Sequence, residues 1–406
     1  MFKNRKVLIG AIALVLVTAV ISFTAGAAVL YGWYNLYPRY EIPFDSKSVS
    51  LDNIKKFSQV RSLLKDRYYE NVDENALVEG AVSGMADALK DPYTVYFTKD
   101  QMKVFTEKTE GSYVGIGVNI TMDNNGLLTI IEPFEDSPAL KAGIKKDDKI
   151  VKVDDTDVTG LRDENMIISM IKGQENTKVK ITVFRPSTGK YIDMEMVRKK
   201  IKIVNIKSEV LSNNLGYIKL STFDSEIASD FEKHLKGLLA RNIQGLIIDV
   251  RDNPGGSYEQ VVAIADRLLP KALIVYTEDR NKVRSEKNSD DKELGLPVSI
   301  LINGNSASAS EILAGALKDN KKGTLVGTKT FGKGLVQEVR TLGDGSGLKL
   351  TIARYFTPSG VCIQGIGIQP DVVVELPEKY KDLPVSQVPK EEDTQLKKAI
   401  EVLTKK

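Results

Sequence analysis

The chain has 406 residues, 42% of them hydrophobic and 27% charged, which describes two or three globular domains and excludes a wholly disordered polymer. Lys+Arg 57 against Asp+Glu 54 leaves a net charge of only +3, too balanced for a nucleic-acid partner. The single cysteine, Cys362, and the single histidine, His234, exclude an intramolecular disulfide and Cys- or His-rich metal sites, and they leave one imidazole as a candidate base.

Lys3, Arg5 and Lys6 precede an uncharged apolar run over residues 7–30. About 20 apolar residues cross a ~30 Å hydrocarbon core, so the run is long enough to span a membrane. Basic residues on its short side predict that the N-terminus stays in the cytoplasm and that the remainder works beyond the membrane. Trp33, Tyr34 and Tyr37 suit the membrane–water interface. A cleaved signal peptide is the competing reading, with Ala25-Gly26-Ala27 as the cleavage site and a secreted product. Residues 1–38 are therefore an anchor or signal segment, and polar residues 39–50 follow as a linker.

Apolar residues recur at helical spacing over 51–70 (Ile54, Phe57, Val60, Leu63, Leu64), and a second helix is expected over 74–89, stopped by Asp91-Pro92. Residues 39–104 thus read as an N-terminal helical region. From 105 to 202 the pattern changes to short alternating strands around 115–120, 127–131, 150–153 and 179–184, with helices near 138–142 and 164–171. Residues 203–376 alternate strand, turn and helix. The continuous apolar runs 246–250 and 298–302 are those of parallel strands covered on both faces, which places ligands near their carboxyl ends. Residues 377–406 are a Pro- and charge-rich linker with a final short helix.

Ser306, Ser308 and Ser310 follow the run 298–302. Ser308-Ala309-Ser310-Glu311 fits a helix capping box. A serine at a helix N-terminus beyond a sheet strand is equally well placed as a nucleophile, because backbone N–H groups there stabilise an oxyanion. Such a serine needs a base. His234 lies mid-helix beside Phe231, Leu235 and Leu238. Lys333 lies among glycines and apolar residues, where desolvation favours the neutral amine, and Gln337 follows four residues on. Gly327 to Lys333 also fits G-x-x-x-x-G-K of a phosphate-binding loop, but Gly334 stands where the Mg²⁺-binding hydroxyl belongs. The turn Asn253-Pro254-Gly255-Gly256 is either a loop needing positive φ or a bare N–H facing a substrate.

The motifs Ser306-Ala307-Ser308-Ala309-Ser310-Glu311-Ile312 and Thr330-Phe331-Gly332-Lys333-Gly334-Leu335-Val336-Gln337 closely resemble those of the carboxy-terminal processing peptidases, the tail-specific serine proteases. So do Asp249 to Gly256, Asp91-Pro92-Tyr93-Thr94-Val95-Tyr96-Phe97 and Ala353 to Pro358. The resemblance runs from about 50 to 404. It implies a crotonase/Clp-protease-like α/β core and a β-rich PDZ domain over 105–202, to which the helical spacing adds N-terminal helices and the apolar run one transmembrane helix. It implies a serine endopeptidase with Ser308 as nucleophile, Lys333 as general base, Gln337 orienting the lysine, and the N–H groups of Gly256 and Ala309 as oxyanion hole. Gly115-Ile116-Gly117-Val118 matches the PDZ loop that grips a peptide C-terminus. The implied partners are polypeptides with free C-termini and a second copy of the chain; the apolar run adds the membrane, through residues 7–30. No cofactor or metal is implied. Asp147 and Asp155 stand where the family has turn glycines, so altered turns are expected there. Arg162 and Lys172 are both candidates for coupling the PDZ domain to the active site.

Overall fold

The computed structural model describes residues 51–123 and 125–405. The apolar run 7–30, its aromatic flank and the 39–50 linker lie outside the described residues. None of the described helices is long and apolar enough to cross a membrane.

The described residues divide into two compact units, one up to Val78 and one from Glu79 onward. In the first, helix Leu51–Arg67 carries Asp52 in its first turn and Lys65 and Arg67 in its last, the charge order that suits the helix dipole. Arg61 and Lys65 pair with Glu74. Its apolar residues, Ile54, Phe57, Val60, Leu63 and Leu64, are all exposed.

The second unit is built on a six-stranded sheet in the order Ile206–Leu211, Leu215–Leu220, Gly245–Asp249, Val298–Ile302, Gly323–Gly327, Val372–Val373. All neighbours pair in parallel except the first two. The apolar runs are continuous because side chains alternate between two covered faces. Leu246, Ile248, Val298, Ile300 and Ile302 join one core beneath the helices Ile227–Leu239, Tyr258–Leu268 and Ala309–Asp319. Ile247 and Leu301 join another, covered by Leu396 and Ala399 of helix Thr394–Thr404. The C-terminal helix thus closes the second face. The Pro-rich stretch before it is packed rather than free: Val385 and Val388 are buried, and the Val385 N–H donates to Asp252 at 2.8 Å.

A second, antiparallel sheet carries strand Leu335–Thr341, which pairs with Gly347–Phe356. The other edge of Gly347–Phe356 pairs with Leu273–Asp279 at one end and with Val95–Phe97 at the other. The short strand Val95–Phe97 was not expected from local pattern. It fixes the preceding turn, residues 91–94, against the lysine segment.

Residues 112–202 form a β-rich domain with its own core. Strand Val118–Met122 is an edge of its antiparallel sheet, with helices Pro138–Ala142 and Glu164–Ile171 against it. Of the two aspartates expected at glycine-type turns, Asp147 adopts φ 66°; in the second turn the left-handed residue is Asp154, φ 52°, rather than Asp155.

Candidate active site

Three serines share one turn, and hydrogen bonding separates them. Ser306 Oγ donates to the Val250 carbonyl at 2.8 Å, and Ser310 Oγ to the Asn253 carbonyl at 2.9 Å. Both are fully buried struts between the end of strand Val298–Ile302 and the turn after Gly245–Asp249. Among the described residues the Ser308 hydroxyl donates to no carbonyl, and Ser308 is half-buried. Its backbone sits at φ 54°, ψ −112°, a region that costs a non-glycine residue about 1–3 kcal/mol and persists only where the surroundings hold it.

Glu311 and Tyr355 do the holding. The Ser308 N–H donates to Glu311 Oε2 at 2.9 Å, the carboxylate half of the expected capping box. The Lys333 N–H donates to the same oxygen at 2.9 Å. Glu311 Oε1 accepts from Thr330 Oγ1 at 2.6 Å and the Gly332 N–H at 2.8 Å. Glu311 is fully buried, and four donors compensate the carboxylate for its lost hydration. On the carbonyl side, Tyr355 Oη donates to Ser308 O at 3.0 Å and reaches Lys333 O as well. Burial pushes this phenol well above the usual tyrosine range, so it retains the proton it donates. One carboxylate and one phenol therefore clamp the backbones of both residues.

The glycines around Lys333 allow its loop to lie against residues 364–367. A Cβ on Gly334 would come within 2.6 Å of the Gln364 nitrogen, and Gly332 adopts φ 93°. No helix follows Lys333; strand Leu335–Thr341 does, so the phosphate-loop reading falls away. The Lys333 ammonium lies over the Tyr93 ring, 4.8 Å from its centroid. Among the described residues no hydrogen bond joins it to the Ser308 hydroxyl. Burial and, second, the Lys349 charge lower the Lys333 pKa, with Asp91 and Glu311 opposing. Burial lowers that of Lys349 too.

Gln337 faces Thr351 across the strand pair, just past a register shift. Its Nε2 donates to Thr351 Oγ1 at 3.5 Å and not to Lys333. The four-residue spacing lies along an extended strand, where it separates side chains instead of stacking them.

The turn 253–256 completes the site. Asn253 is fully buried; its Nδ2 donates to the Leu220 carbonyl at 3.0 Å and its Oδ1 accepts the Gly255 N–H at 2.9 Å. Gly256 adopts φ 141°, and a Cβ there would collide with the Phe223 carbonyl; one on Gly255 would meet Ser308 Cβ at 2.9 Å and the Ala309 nitrogen at 3.0 Å. Only glycine fits this close approach. The N–H groups of Gly256 and Ala309 donate to no acceptor among the described residues. Beneath the turn, buried Arg251 bonds Asp249, Asp393 and Gln395.

His234 is remote from this constellation: its Nδ1 contacts Ser208 Oγ at 2.6 Å. In the β-rich domain, the loop Gly115-Ile116-Gly117-Val118 runs into the free edge strand. Ile116 is buried, and its carbonyl accepts the Ala139 N–H at 2.9 Å. Gly117 adopts φ 77°, with Ser137 Cβ 2.5 Å from where a Cβ would stand. Tyr113 packs beside Gly115 under the Lys172 ammonium. Of the two basic candidates, Arg162 bonds the Asn125 carbonyl within the domain at 2.6 Å. Lys172 pairs instead with Glu107 of helix Lys99–Glu110, outside it.

Glu311, Tyr355 and Tyr93 carry no local sequence signal for their contacts with Ser308 and Lys333. Glu311 was visible only as a capping residue, and Tyr355 and Tyr93 only as parts of family-like motifs.

Family models match this chain as peptidase family S41 over residues 214–374, a PDZ domain over 114–203, and the activating protease CtpB N-terminal domain over 24–101. The chain is similar to the carboxy-terminal-processing protease of Bartonella bacilliformis, 37% identical over 82% of this chain and 78% of the relative. It is similar to the carboxy-terminal processing protease CtpB of Bacillus subtilis, 36% identical over 81% and 69%. Among solved structures it resembles a photosystem II D1 C-terminal processing protease, 32% identical, covering 79% of this chain and 88% of that one, with a TM-score of 0.47.

Proposed function

Because the chain belongs to the carboxy-terminal processing serine proteases of family S41, we propose that Ser308 is its nucleophile and Lys333 its general base. The observation that carries this reading is the shared Glu311 oxygen, which joins the backbones of these two residues across 25 positions of sequence. In the proposed cycle Lys333 Nζ, as the neutral amine, takes the Ser308 Oγ proton while the oxygen attacks the scissile carbonyl carbon. The carbonyl π electrons move onto oxygen, which accepts hydrogen bonds from the unengaged N–H groups of Gly256 and Ala309. Collapse breaks the C–N bond, the ammonium returns its proton to the leaving nitrogen, and an acyl-Ser308 remains. Water then gives a proton to the same amine as it attacks the acyl carbon; the C–Oγ bond breaks, the ammonium returns the proton to Ser308 Oγ, and the acid leaves. Gln337 acts through Thr351, whose strand carries the anchor of the 91–94 turn.

The PDZ domain supports capture of a polypeptide C-terminus. The free edge of Val118–Met122 can take an added strand, with the 115–118 loop at the carboxylate end. Lys172, paired to Glu107, is the better candidate for coupling that domain to the core. The basic N-terminus and apolar run 7–30 support a single-pass anchor with the catalytic part outside the cytoplasm. The exposed apolar face of Leu51–Arg67 is compatible with a homodimer.

The test is cleavage of an unstructured polypeptide followed by mass mapping. Ser308→Ala and Lys333→Ala are each expected to abolish turnover with the fold intact, and C-terminal amidation of the substrate to slow it. Turnover by either variant would remove that residue from the mechanism, and equal rates with the amide would remove C-terminus recognition.

A further inference from the structure

Lys333 is half-buried and makes no ion pair at contact distance among the described residues; its ammonium lies over the face of Tyr93, 4.8 Å from the ring centroid. The backbone that carries this ring is held firmly. The Tyr93 N–H donates to Asp91 Oδ1 at 3.0 Å, and Thr94 Oγ1 to Asp91 Oδ2 at 2.7 Å. Thr94 Oγ1 in turn accepts the Thr351 N–H at 3.1 Å, and Val95 pairs with Lys349 in the sheet. The turn 91–94 is therefore stitched to the strand Gly347–Phe356, next to the one that follows Lys333. A face fixed there by strand pairing is a preorganised site for a cation.

We infer that the Tyr93 ring is the electrostatic seat of the ammonium that forms when Lys333 takes the proton of Ser308. The inference rests on the reading of Lys333 as general base. In the proton-transfer step the Ser308 O–H bond breaks, an N–H bond forms on Nζ, and positive charge appears in a half-buried site. The charged groups facing that site are Lys349 from the adjoining strand, which opposes the ammonium, and Asp91 and Glu311, which favour it. The ring adds a favourable term without adding a formal charge, and it keeps water off the amine. A carboxylate in the same position would hold the lysine permanently protonated. The quadrupole is weaker and leaves the amine able to lose its proton.

The test uses the full chain and the rate at which a fluorophosphonate probe modifies Ser308, measured against pH. Tyr93→Leu keeps the site covered but removes the ring. Its acid limb is expected to move to lower pH by about half to one unit, with the high-pH plateau falling several-fold because the base is weaker. Tyr93→Phe keeps the face and is expected to match the wild type. Tyr93→Trp, a better cation seat, is expected to move the limb to higher pH. A purely structural role would lower the plateau in Tyr93→Leu without moving the limb, and that result would overturn the inference, as would a Phe variant that behaves like the Leu variant. Should Tyr93→Leu not fold, an unmoved limb in Tyr93→Trp would overturn it equally. Wild-type modification rates in Lys333→Ala would instead overturn the reading of Lys333 itself. An unreactive Lys333→Ala beside an unmoved Tyr93→Leu limb would leave that reading standing and remove only Tyr93.

Discussion

The hydroxyl of Tyr355 donates to the backbone carbonyl of Ser308 at 3.0 Å, so a residue 47 positions away holds the Ser308 main chain in an unfavourable conformation. The same hydroxyl reaches the Lys333 carbonyl. Having one proton, it serves both acceptors by sharing it. Tyr355→Phe keeps the packing of a fully buried ring and removes only the donor. The Ser308 carbonyl keeps the N–H groups of Glu311 and Ile312 as donors, but the Lys333 carbonyl loses the hydroxyl; an acceptor left unsatisfied costs about 1–3 kcal/mol, so the variant is expected to unfold at a measurably lower denaturant midpoint. Its kcat is expected to fall at least tenfold with KM little changed. An unchanged midpoint and kcat would show that the hydroxyl clamps nothing.

Glu311 is the other half of the clamp. Glu311→Gln preserves shape but exchanges one acceptor oxygen for an NH2 group that faces N–H or hydroxyl donors. Four donors converge on this side chain, so the amide cannot satisfy them in either orientation. Peptidase activity is expected to fall at least ~100-fold, equivalent to about 2.7 kcal/mol of barrier, with a lower Tm in the same preparation. Thermal unfolding and peptide turnover measured side by side check this.

Lys333 gives the pH dependence. Burial and Lys349 lower its pKa below the free-lysine value of 10.5. With Lys333 as the proposed base, acting as the neutral amine, kcat/KM is expected to rise with pH through a limb whose midpoint lies below 10.5 and to be lost as pH falls through it. The stability sign is opposite to that of a paired lysine. The unfolded chain binds this proton more readily than the folded one, so carrying the lysine lowers stability increasingly as pH falls from the unfolded pKa toward the folded one. Lys333→Met is therefore expected to be inactive yet more stable than wild type at pH 7, by an amount that shrinks toward pH 11. Thermal scans at the two pH values decide it, and a variant less stable at pH 7 would contradict the burial argument.

Gly256 tests the turn. A Cβ there meets the Phe223 carbonyl on a backbone at φ 141°, so Gly256→Ala must shift the N–H that faces the site. Loss of one oxyanion donor costs about 10²–10³ in kcat, and a loss of that size is expected in Gly256→Ala. Gly295 also has positive φ, 74°, but has open space around it; Gly295→Ala is the control for φ strain alone and is expected to lose stability without comparable loss of kcat.

Much of the scaffold is legible in linear order. The runs 246–250 and 298–302 announce strands with two covered faces, since a period of two in an unbroken apolar stretch leaves no solvent side. The serine cluster 306–310 announces itself by its place at a helix start after such a strand, and Lys333 by the glycines and apolar residues around it. The choice among Ser306, Ser308 and Ser310 is different. Chain order treats them alike, and only the carbonyls of Val250 and Asn253, delivered by another strand, commit the outer two to structure.

What chain order alone determined here is the set of local decisions: where strands and helices start, which stretches are apolar on two sides, and which residue types stand at the ends of the strands. Folding decided the site itself. Val95–Phe97 becomes a strand through Gly347–Lys349, some 250 residues away, Tyr93 arrives over Lys333 as a consequence, and Glu311 turns from a helix cap into the tie between two backbones. Such contacts have no periodic trace, because their free energy exists only once distant segments are already side by side and the entropy of bringing them together has been met.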